Sequence, residues 1–212
     1  MKKILTLALA AVMALSLVAC GGNNNETTAP ETTVPAVETT APVTETTAPE
    51  TETTAPVTAD ANGATTVLQN IWNNVEEKWA IIGGSDAENP VWDAPGNYDL
   101  ASENLPYQLL VPAEELGNID EAASLFHGMM LNNFTCGVFH VTGDAQTFAD
   151  AMVESIQNNQ WMCGMPETML VAVVGGEYVV MAFGINDAMN PFIAKMTEAY
   201  PAAVTVANEA IV

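Results

Sequence analysis

Beyond the first sixty or so positions, apolar and polar residues follow two rhythms, one of helices and one of strands. From Thr66 to Trp79 the apolar residues Val67, Leu68, Ile71, Trp72, Val75 and Trp79 fall on one stripe. That spacing predicts an amphipathic helix, closed by Gly83-Gly84. A coil follows to about Pro106, broken by Pro90, Pro95 and Gly96, and it is long for a compact domain. A short helix is expected from Pro112 to Leu116. Glu121–Phe126 and Phe134–Val141 then read as two strands, although Ala122–Leu131 fits a helix nearly as well, because short apolar runs are ambiguous. Asp144 is placed to cap a helix running to about Gln160, with Phe148, Met152, Val153 and Ile156 on its buried face. The clearest signal is Thr168–Val174, the pair Gly175-Gly176, and Glu177–Phe183, a tight hairpin whose glycines accept the positive φ angles of a type I′ turn. A last helix, starting near Asp187 or at Asn190 with Pro191 in its first position, buries Met189, Phe192, Ile193 and Met196. Together these elements predict an α+β domain over residues 63–212, with a small antiparallel sheet of about four strands and helices packed on one face.

The start of the chain follows a different logic. Met1-Lys2-Lys3 precedes an uncharged, mostly apolar stretch from Ile4 to Ala19. A short positive start before such a stretch is the pattern of a secretory signal peptide, here residues 1–19, and the stretch is slightly short for a membrane-spanning helix. It ends in Leu17-Val18-Ala19-Cys20, which resembles the lipobox of bacterial lipoproteins. The resemblance implies that the Cys20 thiol receives a diacylglycerol and that cleavage leaves Cys20 as the first residue. Two acyl chains give stable anchoring where one holds only reversibly, so the expected location is the extracellular face of the cell membrane.

Residues 20–62 follow as the lipidated cysteine and a stalk, and from Asn23 to about Asn62 the composition shifts to threonine, glutamate, alanine and proline. The pentad Glu-Thr-Thr-(Ala/Val)-Pro begins at Glu26, Glu31, Glu38, Glu45 and Glu52. Each repeat carries a helix-breaking proline and no large apolar residue, so the segment is expected to be a disordered stalk. Extended at about 3.1 Å per residue, the stretch from Asn23 to Asn62 reaches at most about 120 Å.

Charge removes whole classes of function. There are 26 acidic residues against four basic ones, all lysines, and the formal net charge is -22. A nucleic-acid partner is excluded, because binding one requires a basic surface to displace counterions from phosphates. The lack of arginine also removes the bidentate clamp favoured for phosphates and carboxylates. Loss of residues 1–19 takes away Lys2 and Lys3 and no acid. The remaining chain is repelled by anionic head groups, and its contact with the membrane is expected through the lipid alone.

The segments that could carry chemistry are few. Gly83-Gly84-Ser85-Asp86-Ala87 lacks the closing glycine and the strand-to-helix setting of a hydrolase elbow. His127 and His140 fall short of a zinc ligand set unless Cys136 joins them. Trp161-Met162-Cys163-Gly164-Met165 combines thioethers and a thiol, the donors that select Cu(I), against the commoner use of methionine as core filler. No acidic run has the spacing of a calcium loop. Glu76-Glu77 and Glu114-Glu115 read as solvated faces. No catalytic residue, cofactor or metal is therefore assigned. Cys136 and Cys163 make an even pair in an exported domain, where disulfides persist. The strand and helix lengths bring the chain at Cys163 back toward the sheet end where Cys136 starts, so the two are read either as a disulfide or as two free thiols.

The long coil sets Trp92, Tyr98 and Tyr107 among Asn89, Asp93, Asn97 and Asp99. Aromatic rings beside amide and carboxylate groups form a platform for sugars or extended peptides; the competing reading is that the rings plug the coil onto the core.

The run Ile119-Asp120-Glu121 to Leu125-Phe126, Thr135–Val141, the Asp144 helix, the Gly-Gly hairpin and the Asp187 helix resembles an uncharacterised domain of Gram-positive surface lipoproteins, over about residues 64–200. The lysine such domains often carry at the end of the second strand is replaced here by Phe139-His140-Val141. The resemblance implies a small domain on a stalk and no particular activity. The expected role is a non-enzymatic binding domain, with cell-wall glycan or another surface protein as partner; an accessory envelope protein and a wall hydrolase are the alternatives.

Overall fold

The computed structural model describes residues 59–72 and 80–212. The expected signal peptide, Cys20 and most of the stalk lie outside the described residues, as do Val75, Glu76, Glu77 and Trp79. Residues 59 and 60, expected to be stalk, are tied to the domain: Ala59 N donates to Ala199 O, and the Tyr200 hydroxyl to Asp60 O.

The fold is α+β, with one antiparallel sheet of eight strands. The elements in chain order are α1 (Ala64–Trp72), β1 (Ile81–Gly83), β2 (Val91–Trp92), β3 (Gly96–Asn97), α2 (Leu105–Gln108), a 3₁₀ turn Ala113–Asn118, β4 (Ile119–His127), a 3₁₀ turn Leu131–Asn133, β5 (Phe134–Val141), α3 (Ala145–Gln157), β6 (Thr168–Val174), β7 (Tyr178–Gly184), α4 (Asn186–Ala199) and β8 (Val204–Ala210). The strand order is β2-β1-β4-β5-β7-β6-β8, and β3 pairs with β4 beside β1. The expectation of about four strands counted β4 to β7. It missed the three short strands before them and β8 after them.

Helices cover both faces, not one. On one face α1 and α4 place Leu68, Ile71, Met189 and Phe192 against Leu125, Cys136, Val138 and Val180. On the other, α3 and the segment around α2 place Phe148, Met152, Ile156 and Leu109 against Phe126, Phe139, Val171 and Met181. The cause is visible in the strands themselves: β7 is buried at every position and β5 at all but one. A strand with one wet face must alternate apolar and polar residues, and these do not.

Local details follow from the same physics. Asp144 caps α3, its carboxylate accepting from Thr147 N at 2.7 Å, and those backbone bonds hold its pKa below the usual carboxylate value. The β6–β7 turn holds three residues, Gly175 to Glu177, rather than two, since Val174 pairs with Tyr178. Both glycines have positive φ. Gly83-Gly84 does not stop a helix. Gly83 belongs to β1, and its lack of a side chain lets the chain at Gly96 approach: a Cβ on Gly83 would lie 2.3 Å from Gly96 N, and one on Gly96 2.4 Å from Gly84 N. No helix among the described residues is long and apolar enough to cross a membrane.

Candidate functional site

The coil between β1 and α2 is an ordered platform at one edge of the sheet. Short polar ties hold it. The Asp86 carboxylate accepts from Glu88 N, Asn89 N and Asn89 Nδ2, and the Asn89 side chain foremost keeps Asp86 below the ordinary carboxylate pKa. Ser85 Oγ accepts from Asp99 N, so the serine of the discarded hydrolase motif is a loop tie. Buried Ser124 Oγ accepts from Gly84 N at 3.0 Å. At the tip, Asp93 takes a left-handed φ of 53°. It is held there by Asp93 N donating to Ile81 O and by Trp72 Nε1 donating to Asp93 O at 2.8 Å.

The structure separates the three candidate aromatics. Trp92 lies on β2, opposite Ile82 at the edge of the sheet, and is 66% exposed beside half-exposed Val91. Tyr107, on α2, is 79% exposed. Tyr98 is a correction: at 1% exposure it is core. Its ring meets Phe126 edge-on at 6.3 Å, its hydroxyl donates to Gln108 Oε1 at 2.7 Å, and burial pushes its pKa up. Trp92 and Tyr107 thus stand in solvent, whereas Tyr98 plugs the coil onto the core.

Cys136 and Cys163 are free. The chain does return as expected, since Asn132, just before β5, donates to Met162 O and Gly164 O. The side chains are what prevent a bond. Cys136 points into the α1–α4 core with no exposure, whereas Cys163 stands exposed in the loop after α3. Burial pushes the Cys136 thiol well above its ordinary value.

The histidines do not converge. His127 Nδ1 accepts from Met129 N and Met130 N, organising the turn after β4. His140 lies across the sheet face from Tyr178, with Asp120 on Nδ1 and Glu177 3.7 Å from Nε2. The hydrogen bond to Asp120, helped by the charges of Asp120 and Glu177, raises the His140 pKa from its ordinary value near 6.5 despite partial burial. Because the folded value is the higher one, protonated His140 stabilises the fold fully below about pH 6.5, and that stabilisation fades as pH rises through the folded value. His140→Gln should therefore lower the thermal midpoint more at pH 6 than at pH 8.5; an equal loss at both would contradict the assignment. Glu115 Oε2 accepts from Asn118 Nδ2 within the exposed 3₁₀ turn. Among the described residues no three His, Cys, Asp or Glu side chains gather as metal ligands.

No known protein family, curated protein or solved structure matches the chain.

Proposed function

We propose that this chain is a lipid-anchored bacterial surface lipoprotein whose folded domain is a non-enzymatic binder of an envelope component, cell-wall glycan or a surface protein, with Trp92 at the centre of the contact. The observation that carries the reading is Trp92 itself, a large ring left two-thirds in water on an edge strand that pairs with β1 and is followed by the tied backbone of Asp93. An ordered backbone under the ring loses little entropy on binding, and the ring offers a flat apolar face to a sugar or an extended peptide. The neighbouring Asp86, Glu88 and Asp93 repel anions and accept neutral glycans or basic peptides. The signal, lipobox and stalk support the placement: a tether at the membrane raises the concentration of a binder at the envelope. The test is retention of the full chain on isolated cell-wall glycan and on surface-protein extract, compared with Trp92→Ala.

Lipidation of Cys20 is checked by counting thiols. In the native full chain only Cys163 should react promptly with a maleimide, because Cys136 is buried and its thiol stays protonated. Denaturation without reductant should raise the count to two. A count of three would show an unmodified Cys20.

A further inference from the structure

Nine methionines follow the signal stretch, and they divide sharply. Met152, Met169, Met181, Met189 and Met196 are buried, the ordinary use of this side chain. Met129 (84% exposed), Met162 (80% exposed), Met130 and Met165 stand in solvent. All four lie in two loops, the β4–β5 turn and the loop between α3 and β6, which Asn132 fastens together by donating to Met162 O at 2.7 Å and Gly164 O at 2.6 Å. Three of them, Met129, Met130 and Met162, line one open groove of about 230 Å³ together with Cys163, Leu131 and Asn132.

We propose that this groove is a Cu(I) site, with the Cys163 thiolate and the thioethers of Met129, Met130 and Met162 as ligands. Thiolate and thioether sulfurs are soft donors, and together they select a soft monovalent ion. The groove has no carboxylate lining to attract Ca²⁺ or Mg²⁺, and Cys163 is its one zinc-type ligand. Core packing does not explain four methionines in water, and they flank the one exposed thiol of the described residues. Both walls are positioned by the fold. His127 Nδ1 fixes the Met129 and Met130 backbone, and the Asn132 bonds on either side of Cys163 hold it at a left-handed φ of 63°. Binding forms a Cu–S bond as the Cys163 S–H proton passes to solvent; copper stays Cu(I), and no electron moves.

The experiment uses the full chain carrying Cys20→Ala, so that no thiol outside the domain competes, with Cu(I) added anaerobically against a chromogenic Cu(I) chelator. One ion per chain is expected. Cys163→Ala and the volume-conserving Met129→Leu/Met162→Leu variant should each weaken binding at least tenfold, while Met165→Leu, outside the groove lining, should leave it unchanged. Circular dichroism confirms that each exposed-loop variant is folded, and methyl shifts of the methionines on adding Ag(I) identify the thioethers that ligate. Failure to compete with the chelator overturns the site. So does affinity that survives the double leucine variant, since a lone thiol would then account for it.

Discussion

Tyr98→Ala should lower the unfolding free energy by about 3–5 kcal/mol, the usual cost of emptying a large aromatic site in a core. The ring is 1% exposed, packs on Phe126 and donates its hydroxyl to Gln108. Its loss would leave a cavity under the coil and an unpaired amide oxygen. Trp92→Ala, six positions earlier, should change stability by no more than about 0.5 kcal/mol, as surface substitutions do. Chemical denaturation of the two variants side by side checks the contrast, and equal losses would mean that Trp92 is packed.

Gly96→Ala should cost about 3 kcal/mol, near the top of the range for overpacking. The added methyl would meet backbone, Gly84 N at 2.4 Å and the Gly83 carbonyl carbon at 2.5 Å, so no side-chain rotation relieves it. Its φ lies outside the left-handed region, so the penalty is steric and not conformational. Gly117→Ala makes the control, because a methyl there meets nothing within 4 Å. Beyond the loss of midpoint, Gly96→Ala should push the coil off β1 and displace Trp92 with it. A stability equal to that of Gly117→Ala would show that the two chain segments separate freely.

The parts of the fold that were legible in the sequence are those whose partners lie nearby in the chain. Phe134–Val141 is a strand with the bounds read from its residues, Asp144 caps its helix, and two long runs flank the Gly-Gly turn. What failed depends on distant neighbours. Gly83-Gly84 looks like a helix stop until Gly96 is seen packed against it. The 7-residue β8, Val204–Ala210, is mostly exposed at the sheet edge and has no apolar alternation to announce it. The second helical layer was readable in principle from the unbroken apolar runs of β6 and β7, which only a sheet buried on both faces can accept.

The site divided in the same way. Composition marked the coil as aromatic and polar but gave Trp92, Tyr98 and Tyr107 equal standing. Their fates are set by pairing: Trp92 sits on the outermost strand, whereas Tyr98 N donates to Ala122 O and the ring turns under the coil. The methionine groove was hidden for a related reason. Met130 and Met162 are far apart in sequence, and only the Asn132 crossing of two loops brings their neighbourhoods together.

The most direct test of the proposed function is the affinity of the folded full chain, wild type and Trp92→Ala, for purified cell-wall glycan and for a lysine-rich surface peptide, with thermal midpoints measured on the same samples. Removing a central tryptophan from a contact costs about 2 kcal/mol or more, roughly 30-fold in affinity. That loss is expected for one of the two ligands, with the midpoint unchanged. Undiminished binding by Trp92→Ala, or no binding of either ligand by the wild type, would contradict the proposed function.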